Sequence, residues 1–195
     1  TMIGNQQWTT KNLSVTEFRN GEKIKQSKSK EDWLKSGYRE EPTWCYYNFD
    51  ESYAYLGKLY NYYALSSNQN IAPEGWKVPS FLDYYKLFKY LDPLLNHNIF
   101  VNEGSLSGGS LKIKNEKNYW QGKNCPQLDS GFNAIPSGGY SPSLNYPEYD
   151  WDKVGEVTRF WCLTDWEEII PLLFNEEEMK KLIEELNNGE FDDAA

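Results

Sequence analysis

Six aromatic side chains in or beside one loop-rich stretch could bind a ligand. The stretch, 115–150, is rich in Asn, Gly, Pro and Ser, a composition that predicts loops. Aromatic faces stack on the C–H surfaces of sugars and anchor protein contacts at low cost in side-chain entropy. The alternative is that such rings only pin the loops to the core. The candidate ligand-binding residues are Tyr119, Trp120, Tyr140, Tyr146, Tyr149 and Trp151.

Three carboxylates alternate in the same region, in the sequence YPEYDWDK. Glu148, Asp150 and Asp152 supply the hard oxygen ligands that Ca²⁺ prefers. The segment lacks the full ligand pattern and the glycine of a Ca²⁺ loop, so its default interpretation is a solvated acidic turn. We therefore predict no cofactor, with these three residues as the metal candidates.

Residue types that perform catalysis are sparse. The single histidine, His97, has no Ser, Cys or Asp motif around it, so a catalytic triad has no local support. The cysteines, Cys45, Cys125 and Cys162, form no metal-binding or redox spacing. Two alternatives are open for the three cysteines. Either two of them form a disulfide and one stays a thiol, or all three are small buried hydrophobic residues. The Gly108-Gly109 and Gly138-Gly139 pairs read as turn glycines rather than phosphate-binding loops.

A helix over 80–91 is the clearest element that could support such loops. Ser80 is a good N-cap, and Pro79 keeps the approach to the helix extended. One helical stripe contains Phe81, Tyr84, Tyr85, Phe88 and Leu91. A stripe of this kind is most often buried, so we expect it to be a scaffold together with Trp76.

The remaining elements are short. Ile3, Trp8, Leu13 and Val15 predict a strand, a turn and a second strand with these side chains inward. Ser29 caps a short surface helix that ends at Gly37. A ring-rich segment at 40–67 is expected to form a strand or hairpin that leads into a buried helix-like or extended segment. Further strands are expected at Leu111 to Lys114 and in the core at Val157 to Leu163.

The last 31 residues differ in charge from the rest of the chain. Residues 1–164 carry 18 Lys and Arg and 18 Asp and Glu, whereas residues 165–195 carry 2 and 11. Asn175 caps a helix there. Its apolar stripe is expected to bind the body of the domain, a partner chain or a second copy of this chain in a homo-oligomer, and it contains Met179, Leu182, Ile183 and Leu186. We predict a domain at 1–166 and an acidic helical extension at 167–195.

Charge and hydropathy limit the partners. The net charge of −9 argues against a nucleic acid or an anionic membrane surface as partner. No apolar run is long enough to cross a bilayer, and no basic and apolar leader opens the chain. We expect any export signal to lie outside this sequence.

Six segments in order resemble the Fibrobacter-type major paralogous domain, abbreviated FISUMP. They are IGNQQWTTKNLSVTEFRNGEKI, WCYYNFDESYAYLGKLYNYYAL, APEGWKVPSFLDYYKL, GGSLKIK, SGFNAIPSGGY and FWCLTDWEE. The resemblance implies a relation to the C-type lectin-like and formylglycine-generating (sulfatase-modifying) folds. The implied fold is α+β, with a small twisted antiparallel sheet, two or three helices, a long ligand-facing loop region and the C-terminal acidic helix.

The chain departs from the family pattern after residue 166, where the usual closing strand and its cysteine are absent. No paired-cysteine arrangement of the sulfatase-modifying enzymes is present either. The sequence predicts a non-catalytic recognition module, exported or displayed on a surface, that binds a glycan or a protein. The alternatives are a structural subunit of a phage or surface appendage that docks through its C-terminal helix, and an enzyme of the sulfatase-modifying type.

Overall fold

Short strands and short helices make up the described part of the chain, which confirms the α+β class. The computed structural model describes residues 1–93, 107–113, 120, 129–142, 150–163 and 180. The helices are α1 Lys30–Tyr38, α2 Tyr62–Leu65, α3 Phe81–Leu91 and α4 Ser107–Leu111, with 3-10 helices at Tyr47–Phe49 and Glu51–Leu56. The strands are β1 Met2–Ile3, β2 Gln6–Gln7, β3 Lys25–Gln26, β4 Thr43–Cys45, β5 Leu59–Tyr60, β6 Gly139–Tyr140 and β7 Trp151–Asp152.

The strands form three small sheets rather than the single antiparallel sheet that was predicted. β1 pairs with β2, and β6 pairs with β7, both antiparallel. The third sheet has the order β3-β4-β5, in which β4 is parallel to β3 and antiparallel to β5. The parallel pair arises because α1 connects β3 to β4, and a helical crossover returns the chain in the same direction.

The first hydrophobic core surrounds the three-stranded sheet. Trp44 of β4 is 5 % exposed, and its indole Nε1 donates a hydrogen bond to the carbonyl of Ile24 at 3.0 Å. The buried members of this first core are Phe18, Ile24, Trp44, Tyr60, Ala64, Leu65 and Ile71. The ring-rich segment at 40–67 therefore provides much of this core through β4, β5 and α2.

The second hydrophobic core lies against α3. Ile3 and Trp8 from the N-terminal segment meet Leu87 of α3, and Leu111, Phe132 and Ala134 complete the buried set. Trp8 contacts the ring of Tyr84 with centroids 5.2 Å apart and the ring of Phe132 at 5.6 Å. The N-terminal strand pair is thus held by rings from distant parts of the chain.

The predicted helix over 80–91 is confirmed, together with its cap. The hydroxyl of Ser80 accepts a hydrogen bond from the Asp83 amide at 3.2 Å, and the Asp83 carboxylate accepts one from the Ser80 amide at 2.8 Å. This reciprocal arrangement satisfies two amides at the helix start. The predicted stripe is only half-buried, and Leu87, which lies beside it, is the fully buried residue of the helix.

The predictions of a strand at Leu111 to Lys114 and of turn glycines at 108 and 109 were wrong. Both glycines lie in α4, which ends at Leu111, and only Lys112 makes an isolated bridge, to Ala134. The hydroxyl of Ser130 donates to the Ser110 carbonyl at 2.6 Å, which satisfies an acceptor at the helix end. Burial of Leu111 against the second core and this bond outweigh the β-branched pattern that follows.

The core strand predicted at Val157 to Leu163 is not present. The segment makes only two isolated parallel bridges, from Thr158 to Gly138 and from Leu163 to Ser80. Phe160 is 39 % exposed and Trp161 is 49 % exposed. Within the part of the chain that the structure describes, no strand runs beside the segment, and its large rings lie at an open cleft instead of in the core.

No helix in the described ranges is long and apolar enough to span a bilayer.

Candidate functional site

A cleft of about 650 Å³ lies between the two hydrophobic cores. Leu13, Tyr60 and Leu65 line it from the first core. Trp8, Tyr84 and Phe132 line it from the second core. Segments that are far apart in the sequence therefore build the cleft, and aromatic side chains dominate its surface.

One wall of the cleft is the loop at 72–79, which carries Trp76. The guanidinium of Arg19 donates to the Ala72 carbonyl at 3.2 and 2.9 Å, to the Pro73 carbonyl at 3.1 Å and to the Trp76 carbonyl at 3.0 Å. Trp76 lines the cleft and is only half-buried. The prediction that Trp76 is a buried scaffold ring was therefore wrong, because the loop holds it at the cleft instead of in a core.

The segment 159–161 forms another part of the wall. The Trp161 indole donates a hydrogen bond to the Tyr60 carbonyl at 2.9 Å, although about half of the side chain stays exposed. The ring of Phe160 packs edge-on against Phe132 with centroids 5.6 Å apart. Both rings are thus fixed in orientation while they remain accessible.

Arg159 completes this segment through an ion pair with Asp152. Its guanidinium donates to both carboxylate oxygens of Asp152, with Nη2 2.9 Å from Oδ1. The hydrogen bond and the charge of Arg159 hold the pKa of Asp152 below its usual range despite partial burial. The pair joins strand β7 to the wall of the cleft.

A second ion pair lines the cleft beside Trp76. The Lys77 ammonium lies 2.7 Å from Oδ2 of Asp83, the same oxygen that accepts from the Ser80 amide. Burial raises the pKa of Asp83, but the hydrogen bonds from Lys77 and Ser80 and the charge of Lys77 outweigh it, so this pKa lies below its usual range. Asp83 is therefore an anion at neutral pH.

Lys58, which directly precedes β5, lines the cleft, and its ammonium group binds to other parts of the protein. Nζ donates to the Ser14 carbonyl and hydroxyl, both at 2.8 Å. It lies 4.8 Å from the centroid of Trp44 and 5.4 Å from that of Tyr46. Burial lowers the pKa of Lys58. The ring contacts favour the charged form and tie the segment to the first core.

Two of the six predicted ligand-binding rings are stacked on each other. Tyr140 and Trp151, from paired strands β6 and β7, have centroids 4.1 Å apart at 28°. Trp33 and Phe49 pack edge-on against Tyr140, and Phe49 also against Trp151. The structure thus brings these two rings together in a packed cluster, and neither ring lines the cleft.

Trp120 lies in a different place. Its indole donates to the Ala134 carbonyl at 3.0 Å, its ring packs on the second core, and the Lys112 ammonium lies 4.6 Å from the ring centroid. Trp120 therefore helps to pin its loop. The other three predicted rings, Tyr119, Tyr146 and Tyr149, lie outside the described residues.

The carboxylate candidates for metal binding have cationic partners. Asp150 is 3 % exposed and its Oδ2 lies 2.6 Å from Nζ of Lys30, so the expected solvated turn is wrong at this residue. Asp152 pairs with Arg159. Glu148 lies outside the described residues. Across the described ranges, no three His, Cys, Asp or Glu side chains form a group that could hold a metal.

No disulfide joins Cys45 to Cys162. Cys45 is completely buried, and burial raises the pKa of its thiol far above the usual range. A buried neutral thiol is a poor nucleophile. Cys125, His97 and the predicted partner-binding residues Met179, Leu182, Ile183 and Leu186 lie outside the described residues, so the predictions for them stand untested.

The cleft itself was not predicted from the sequence. The sequence features that point to it are the aromatic residues in FWC at 160–162 and Trp76. The pattern around FWC is typical of a core strand, however, and the position of Trp76 before a helix is typical of a scaffold residue. Their proximity depends on the bridge from Leu163 to Ser80 and on the bond from the Leu163 amide to the Pro79 carbonyl at 2.9 Å. No local pattern encodes these long-range contacts.

Comparison with known proteins gives a family but no close relative. No curated protein and no solved structure matches the chain. The family model of the Fibrobacter succinogenes major domain matches residues 2–188, which includes much of the segment predicted as an extension. The match confirms the resemblance drawn from the six sequence segments, and the chain belongs to the Fibrobacter succinogenes major domain family.

Proposed function

We propose that this domain is a non-catalytic recognition module that binds a glycan in the cleft between its two cores. The observation that carries the proposal is the set of accessible rings on the cleft, Trp76, Phe160 and Trp161, of which Phe160 and Trp161 are held by contacts of their side chains. Exposed large aromatic side chains that line a concave surface are typical of ligand sites. Sugars present C–H faces that such rings bind by stacking.

The polar side chains of the lining favour a sugar over a purely apolar ligand. Gln6, Gln7, Asn12 and Asn133 line the same cleft. Amide groups both donate and accept hydrogen bonds, so they match hydroxyl groups, which also do both. A concave cleft with rings and amides fits an oligosaccharide better than the flat surface of a folded protein.

The remaining features of the proposal follow from the family resemblance and, for nucleic acid, from the net charge of −9. We propose a C-type lectin-like arrangement, export or display on a surface, and no nucleic-acid partner. The buried thiol of Cys45 favours a binding role over cysteine-dependent catalysis of the sulfatase-modifying type. A protein ligand remains an outcome of the test.

A glycan array with the full chain tests the proposal. Trp161→Ala and Trp76→Ala are each expected to lower the affinity for a bound oligosaccharide about tenfold or more, while the fold persists by circular dichroism. Tyr38→Ala is the matched control, because Tyr38 is 77 % exposed and does not line the cleft. The proposal fails if the wild-type chain binds no glycan, or if the cleft variants bind as the wild type does.

A further inference from the structure

The pair of Lys77 and Asp83 is placed to recognise hydroxyl groups. Both residues line the cleft. Lys77 follows Trp76 at the end of the loop, and Asp83 lies in the first turn of α3. The Lys77 side chain is 71 % exposed, whereas the Asp83 side chain is 17 % exposed. An exposed donor therefore lies beside a largely buried acceptor at the same aromatic surface.

Asp83 is held by contacts on three sides. Its carboxylate and amide complete the capping box with Ser80, and its carbonyl accepts a hydrogen bond from Nε2 of Gln6 at 3.1 Å. The Ser80 amide and Lys77 both use Oδ2. Oδ1 takes part in neither of these two contacts, so it is the oxygen that we expect to face a ligand. A carboxylate fixed in this way binds without losing side-chain freedom.

We propose that Asp83 and Lys77 bind two adjacent hydroxyl groups of a neutral sugar and thereby select its configuration; this rests on the proposed glycan-binding function. The Asp83 carboxylate accepts a hydrogen bond from one hydroxyl, and the Lys77 ammonium donates to the oxygen of its neighbour. Trp76, next to Lys77 in the chain, supplies the stacking face.

At the Asp83 end of the cleft, charge favours a neutral sugar unit over an acidic one, although Lys11 and Lys58 also line the cleft. The Lys77 ammonium is neutralised by Asp83, and the Arg159 guanidinium is neutralised by Asp152. Lys58 is committed to Ser14 and to two rings. An acidic sugar beside Asp83 would place two carboxylates together, which is unfavourable. Hydroxyl groups gain from both partners of an existing ion pair without a net change in charge.

Variants of the pair separate recognition from stability. Asp83→Asn keeps the side-chain size and an acceptor for the Ser80 amide, but it removes the negative charge. Lys77→Met removes the donor and leaves the capping box intact. Ser80→Ala is the matched control, since it weakens the cap of α3 but leaves the carboxylate and Lys77 in place. Unfolding by urea shows whether each variant is folded.

The probes are β-1,4-linked hexaoses of glucose, mannose and galactose. Relative to the glucose chain, each mannose unit has the opposite configuration at the C2 hydroxyl group, and each galactose unit has the opposite configuration at C4, which carries the linkage. The wild-type chain is expected to prefer one of them. Asp83→Asn and Lys77→Met should lower the affinity for that hexaose about 10- to 100-fold and remove the preference. Ser80→Ala should keep the preference.

The outcomes distinguish the two proposals. If the wild-type chain binds the hexaoses but shows no preference, or if folded Asp83→Asn and Lys77→Met variants keep its preference, the selection role is overturned and glycan binding stands. If the wild-type chain binds none of the three and no other oligosaccharide on the array, glycan binding and the selection role are both overturned. Trp161→Ala should lower the affinity for all three hexaoses to the same extent.

Discussion

Arg19 ties the loop that carries Trp76 to the rest of the domain, and its removal tests how the cleft is held open. Arg19→Met eliminates all four hydrogen bonds to the carbonyls of Ala72, Pro73 and Trp76 but retains an apolar stem of similar length. The variant should be less stable, and the loop should open more often.

The magnitude follows from the burial of the acceptors. The two bonds to Pro73 and Trp76 are exposed, so water replaces them at little cost. Ala72 is 5 % exposed, and its carbonyl loses both of its bonds to a charged donor. A lost hydrogen bond to a charged group costs about 1.5–3 kcal/mol, which we expect as the total decrease in the free energy of unfolding.

Urea unfolding measures this decrease, and amide hydrogen exchange locates it. The Trp76 amide, which bonds to the Pro73 carbonyl at 3.0 Å, should exchange faster in Arg19→Met. Arg39→Met is the matched control, because the ion pair of Arg39 with Glu41 spans 3.7 Å between exposed groups. Equal stability and equal exchange in Arg19→Met and the wild type would refute this account of the loop.

Two further predictions concern the second core and the effect of acid. Leu87→Ala removes a fully buried side chain from α3 and should lower the free energy of unfolding by about 2–5 kcal/mol in urea, whereas the half-buried Trp76 should cost less when truncated. The pKa values of Asp83 and Asp152 lie below their usual range in the folded chain, so their stabilising contribution is complete at neutral pH and is lost as the pH falls below about 4. Asp83→Asn combined with Asp152→Asn should flatten the acid limb of a stability-against-pH curve, and an unchanged limb would contradict the two ion pairs.

Local patterns predicted α1 and α3 well because their determinants are close in sequence. Ser29 accepts a bond from the Asp32 amide at 3.1 Å, and Ser80 forms the capping box with Asp83. Each cap involves residues three apart, so a short stretch of sequence contains the complete interaction. The predicted end of α1, Gly37, differs by one residue from the observed end at Tyr38.

The strands were predicted less well because pairing depends on partners elsewhere in the chain. The β-branched and aromatic residues at 157–163 favour a strand, yet this segment makes only isolated bridges. β-Propensity describes how side chains fit a pleated and half-buried surface, and no such surface is available to Phe160 and Trp161. The positions of these two side chains depend on their contacts with Tyr60 and Phe132, which are distant in the sequence.

The acidic turn shows why charges close in sequence are a poor guide to a metal site. Asp150 and Asp152 alternate along the chain, and alternate residues of an extended strand point to the same face. In the fold, however, Lys30 approaches Asp150 from the start of α1, and Arg159 approaches Asp152 from the wall of the cleft. A cation at either carboxylate would have to displace a partner that already neutralises it. The pair from Arg159 to Asp152 therefore stabilises the segment that carries Phe160 and Trp161, so the same carboxylate that suggested Ca²⁺ binding supports the wall of the proposed glycan site.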